Sequence, residues 1–269
     1  LTCIFLCATS IVSAQGYSWM NIADSFYSQG RYFEASVYCE RVLFAQEGGR
    51  ATEEAVFLKI QCYKQQREYL KIPRFIQTVQ QLFSADSLQQ ALAYETALAY
   101  YLAGDFDNAL AVADRAVLRF AGANVERWAS LLRILSLNEL RRWDDAAAIA
   151  GKAGFLSDSV QYCYARQPHL KSEDKAAWLA TFIPGGGHFY AGRAAEGLAS
   201  IGIQALGVYY GIISWQQKHY ISAWLVGGGI AGSFHLGGVR RAQELVRIYN
   251  NRKAAAFNEQ VKLQLLRSF

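Results

Sequence analysis

Cysteine, histidine and proline are scarce in this chain of 269 residues, which holds five, four and three of them. No CxxC pair and no His/Cys cluster has the spacing of a zinc site. No nucleophile stands in a recognisable arrangement with a base, and no paired-carboxylate motif has a supporting context. Asp144-Asp145 beside Trp143 reads as the acidic start of a helix rather than a catalytic dyad. These absences point away from an enzyme, and no cofactor or metal is expected. Excess charge is also missing from most of the chain. From Arg240 onward there are seven basic residues and two acids, which accounts for the whole net charge of +5, so residues 1–239 sum to zero. A neutral body with its basic residues next to an apolar run argues against a nucleic-acid partner. The basic tail reads either as a solvated helix or as a juxtamembrane segment facing anionic headgroups.

Charge is absent from residues 1–14 as well (LTCIFLCATSIVSA). Val12-Ser13-Ala14 satisfies the small-residue rule for cleavage before Gln15, so this segment reads as a signal peptide, although it has no basic n-region. Cys39, Cys62 and Cys163 then remain, an odd number that cannot all pair internally. Cys39 and Cys62 either bridge neighbouring helices in an oxidising compartment or serve as small buried hydrophobes.

An internal repeat organises residues 15–156. Gly30, Arg67, Gly104 and Arg141 are spaced by 37, as are Tyr32, Tyr69, Phe106 and Trp143, and Ala35, Ile72, Ala109 and Ala146. In the first copy Trp19, Ile22, Ala23 and Phe26 fall on one helical face. Gly30 breaks the helix, Tyr32 opens the next one and packs back across the turn, and Ala35 lets the two helices approach closely. The pattern resembles the tetratricopeptide repeat over about Tyr17 to Phe155, with a period longer than its usual ~34 residues. Copies two and four are degenerate, with Arg in place of the turn glycine. The resemblance implies eight antiparallel helices stacked as a short right-handed solenoid, and a protein or peptide partner bound along its concave face.

Residues 157–181 read as a linker, broken by Pro168 and ending in a short amphipathic interfacial helix with Trp178. The stretch 182–239 reads as a transmembrane hairpin. Its two apolar runs, about Ala194–Trp215 and Tyr220–Val239, are each near the ~20 residues that cross a ~30 Å hydrocarbon core, and Gln216 to His219 lie between them. Gly207 with Gly211 and Gly228 with Gly232 are GxxxG patterns expected to face one another, and Gln204 is expected to hydrogen-bond between the helices. Residues 240–269 read as a basic C-terminal helix.

Pro184, Gly185, Gly187, Tyr190, Gly192 and Arg193 open the hairpin. Pro184 ends the preceding helix, the glycines allow a tight turn, and Phe189, Tyr190 and Arg193 suit the headgroup level. Gly187-x4-Gly192 has the glycine spacing of a P-loop, but Arg193-Ala194 replaces the Lys-Ser/Thr that would hold phosphate and magnesium. The segment resembles the PGxGxxYxGR signature of two-transmembrane-helix domains. It looks especially like bacterial envelope proteins of unknown function, mainly from Bacteroidetes, that join tetratricopeptide repeats to such a hairpin.

The fold class expected is therefore all-α: a helical solenoid of about four helix pairs, a two-helix transmembrane hairpin and a basic helix. The expected location is multi-pass in a bacterial cell membrane, with the repeats periplasmic. The signal places them there, yet a hairpin would then put Arg240, Arg241 and Arg247 outside, against the positive-inside rule, so cytoplasmic repeats remain the alternative. The function expected is a membrane-anchored scaffold that recruits a protein partner in envelope assembly, secretion or membrane-protein biogenesis. The alternative is a channel or transporter subunit that oligomerises through the Gly-rich hairpin, with the repeats regulating it.

Overall fold

A computed structural model describes residues 19–45, 50–120, 122–155 and 157–268 of the chain. The expected signal peptide, residues 1–14, lies outside them. The described residues are helical with no strand. The chain divides into two units, 1–161 with 265–269, and 162–264. The division falls beside the boundary expected after residue 156.

In the first unit eight helices follow one another: α1 over 19–28, α2 Tyr32–Phe44, α3 Arg50–Gln65, α4 Lys71–Val79, α5 Asp86–Leu102, α6 Phe106–Arg119, α7 Ala123–Glu139 and α8 Trp143–Lys152. Their apolar faces meet in successive clusters. Met20 and Ala23 pack with Cys39, Val42, Ala51 and Ala55, joining α1, α2 and α3. Val56 and Ile60 pack with Ile72, Phe75, Leu92 and Ala99, joining α3, α4 and α5. Ala97, Val112, Ala113, Ala129 and Leu132 join α5, α6 and α7. Each helix thus buries its stripe against near neighbours in sequence. Cys39 and Cys62 are free thiols with no exposure, so they behave as small hydrophobes.

The repeat columns carry this packing. Ala35, Ile72, Ala109 and Ala146 are all fully buried. Tyr32 packs edge-on against Tyr27 at 5.3 Å, and Phe106 lies 5.6 Å from Tyr101, the same relation across the same turn. Trp143 is buried at the start of α8, and Trp19 packs against the first cluster. Only the second copy starts late: α4 begins at Lys71, two residues after Tyr69. Pro73 has no N–H to donate and is tolerated only in a first turn, so the preceding residues form a tighter turn in which the Ile72 N–H donates to the Tyr69 carbonyl (3.1 Å).

Asp158–Tyr164 forms α9, which runs across the division between the units. Within the second unit follow α10 Glu173–Phe182, α11 Gly186–Ala191 and α12 Ala194–Gln216. The expected linker is thus largely helical. A continuous helix starts at Tyr220. It widens into a π-helical turn over Ala223–Gly228 and continues as α13 from Gly229 to Ser268. The basic tail is therefore the far end of the helix that begins as the second apolar run.

Candidate functional site

The turns that join the helices of each repeat share one geometry. Gly30, Arg67, Gly104 and Arg141 all have positive φ, at 75°, 58°, 79° and 59°. In each, the next residue's N–H reaches back five residues to a carbonyl: Arg31 to Phe26 (2.9 Å), Glu68 to Tyr63 (2.9 Å), Asp105 to Tyr100 (2.9 Å) and Arg142 to Leu137 (2.8 Å). This is the left-handed cap that satisfies orphan carbonyls at a helix end. The first unit also holds a charge that sequence patterning did not single out. The Lys59 side chain is buried, pairs with Glu40 and sits 4.3 Å above the Phe75 ring, and burial pushes its pKa down to about 8.

In the second unit the six residues singled out from Pro184 to Arg193 build a junction of α10, α11, α12 and α13. Pro184 follows the end of α10 at Phe182. Gly185 has φ of 75°, and a Cβ there would come within 2.7 Å of the Gly197 carbonyl on α12. Gly187 is the tightest point. A Cβ there would meet the Ala176 carbonyl at 2.4 Å and the Ala242 and Ala180 methyls at 2.6 and 2.8 Å. It lets α11 sit against α10 and α13 above a small core of Ala176, Ala180, Ala191, Ala242, Leu245 and Val246. Gly192, with φ of 85°, closes α11 with the same cap as the repeats, the Arg193 N–H donating to the His188 carbonyl (2.9 Å).

Tyr190 is half-buried, and its polar atoms serve the protein: the hydroxyl accepts from the Ser172 N–H (3.1 Å) and the carbonyl from Lys171 Nζ (2.9 Å). Its neighbour Phe189 is the exposed aromatic. Arg193 and Arg241 grip one carboxylate, that of Glu196, at 2.6 and 3.0 Å. His188 is 4% exposed, and its Nδ1 has no hydrogen-bond partner among the described residues. Burial pushes its pKa below the ordinary imidazole range, with Glu196 opposing the shift and Arg241 adding to it. Asn250 was not legible as a partner from sequence. Buried on α13, it donates to the Lys171 carbonyl (2.8 Å) and accepts from the Lys171 N–H (2.9 Å), tying the start of α10 to a helix 79 residues away.

Glycine also governs the two apolar runs, with a correction to the expected pairs. Gly207 and Gly211 on α12 do face the following helix, but their partner is Gly227. A Cβ at Gly227 would meet Gly211 Cα at 2.6 Å and the Gly207 carbonyl at 3.1 Å. Gly232 has nothing within 4 Å, and Gly228 meets only Trp224 of its own helix. The facing row is Ala223, Gly227 and Ala231, small residues four apart. The wider turn at Ala223–Gly228 sets this face, and a pattern confined to glycine overlooks its alanines. Gln204 donates to Ser200 of its own helix (2.9 Å) rather than across to the partner.

Most of the outward surface of these runs is apolar. Leu206, Ile221, Trp224 and Leu225 are each between 67% and 77% exposed. Helix α12, 23 residues long, is the one helix among the described residues long and apolar enough to cross a membrane. The second run, with its many glycines and His235, does not meet that description. No protein-family model, no curated protein and no solved structure matches this chain.

Proposed function

We propose that the chain is a membrane-anchored tetratricopeptide-type scaffold: a solenoid of four helix pairs that holds a protein partner, fixed to a bacterial cell membrane by a two-helix hairpin. The observation that carries the anchor is the apolar surface around α12 and the run from Tyr220. Side chains such as Leu206 and Leu225 are more exposed there than a water-facing helix tolerates over so large a contiguous area. Trp215 and Tyr220 meet edge-on at 4.9 Å beside the polar Gln216 to His219 turn, and Trp178 and Phe189 are exposed near the opposite end. Aromatics at both ends suit the two headgroup levels of a bilayer. The recurrent left-handed cap in all four copies supports the repeat reading, and with it recruitment of a partner in envelope assembly, secretion or membrane-protein biogenesis. The repeats face the periplasm in this reading.

Two measurements test it. After an alkaline carbonate wash of membranes the chain stays in the pellet, and release into the supernatant would remove the anchor. In-cell crosslinking followed by purification and mass spectrometry recovers a stoichiometric partner that is lost when residues 17–155 are deleted. Recovery of self-crosslinks through the hairpin alone would replace recruitment with the oligomeric channel reading.

A further inference from the structure

Four basic residues of the second unit meet at one cleft. Arg193, Arg241, Arg252 and Lys253 line an open cavity of about 650 Å³ between the α11–α12 turn and α13. Leu245 and Ile248 are among its apolar lining residues. Lys171 stands at its edge, 4.1 Å above the Tyr249 ring, held there by the Asn250 clamp on its backbone. Of the acids nearby, Glu196 is held by Arg193 and Arg241, and Glu244 pairs with Arg247. Neither lines the cavity. Each guanidinium carries five N–H donors, so one shared carboxylate leaves donors on both Arg193 and Arg241 unspent. Arg252 and Lys253 add two exposed charges.

We propose that this cleft binds the phosphate-bearing headgroup of an anionic phospholipid. The inference rests on the membrane reading above and adds a ligand to it. Three features select the ligand. Forked guanidinium donors match phosphate oxygens. The mixture of cationic rim and apolar lining suits an amphiphile better than a free inorganic ion. The position also fits, because Arg193 directly precedes Ala194, where the one helix that qualifies as a span begins. That is the depth at which headgroup phosphates lie.

The test uses the full chain purified in detergent and native mass spectrometry of retained lipid. The probes are dioleoyl phosphatidylglycerol, dioleoyl phosphatidylcholine and inorganic phosphate. Phosphatidylglycerol is retained at least tenfold better than phosphatidylcholine. The double variant Arg241→Gln, Arg252→Gln weakens that retention about thirtyfold. Arg247→Gln, on the same helix but outside the cleft, leaves it unchanged. All three side chains are exposed, and unchanged circular dichroism and melting temperature check that the variants remain folded. Equal retention of the two lipids, or retention indifferent to the double variant, overturns the proposal. Inorganic phosphate that binds as tightly as phosphatidylglycerol and displaces it overturns the lipid as the source and makes the cleft a free-phosphate site. Failure of the membrane reading is separable, because it appears as release by carbonate, whereas failure of the cleft appears in a chain that stays in the pellet without preferring anionic lipid.

Discussion

At Arg67 an L-residue with a large side chain occupies backbone space that favours glycine. The left-handed region costs a non-glycine residue roughly 1–2 kcal/mol, and the corresponding positions Gly30 and Gly104 avoid that cost. Arg67 is exposed, so its replacement removes little packing. Arg67→Gly is expected to stabilise the repeat unit by about 1 kcal/mol in urea unfolding, and a loss of stability would mean that the arginine side chain holds the turn. His188 makes the opposite kind of demand. Its folded-state pKa lies below the usual imidazole value of about 6.5, so the unfolded chain takes up a proton before the folded one does. Stability is therefore fully present above that value and falls as pH drops toward the folded-state pKa. Thermal unfolding of the detergent-solubilised protein from pH 7.5 to 5.5 should show this fall, and His188→Gln should flatten it. An equal slope in both proteins would assign the pH response elsewhere. The columns of the repeat were legible at this scale because glycine, aromatic and alanine each answer a local backbone or packing need. Burial of His188 was not, because it arises where separate helices converge.

Between helices, Gly227 decides how closely α12 and its partner approach. Gly227→Ala places a methyl 2.6 Å from Gly211 Cα, backbone that can yield only if the helices part. Overpacking of this kind costs typically about 1–3 kcal/mol. Gly232→Ala should be neutral, since nothing lies within 4 Å of it. The melting temperatures of the two variants in detergent separate these cases, and equal effects would dismiss the facing row. Half of this contact was readable in advance: Gly207 and Gly211 were the right face of α12. The other half depended on the π-helical turn, which changes the facing residues without a proline or charge to mark it. The same limit applies to α4, where Pro73 delays the helix start that the column at Tyr69 implied.

Across the whole molecule, charge and apolarity are partitioned along the chain rather than mixed. Residues 1–239 are neutral overall, and the excess of +5 falls where the last helix leaves the apolar run. That partition was visible from where the charges fall along the sequence, and the all-helical character from the repeat and the apolar runs. Assembly of Arg193, Arg241, Arg252 and Lys253 into one cleft was not, because it depends on Gly187 seating α11 against α13 and on Asn250 reaching across 79 residues. The long helix has a mechanical consequence. From Gly229, α13 runs 40 residues, on the order of 60 Å, without a proline. One end meets Gly207 through Ala231, and further along it supplies the cations of the cleft. A rod held at two stations cannot turn at one without turning at the other, so the packing at Gly207 and the placement of the cleft's cations are set by one rigid element.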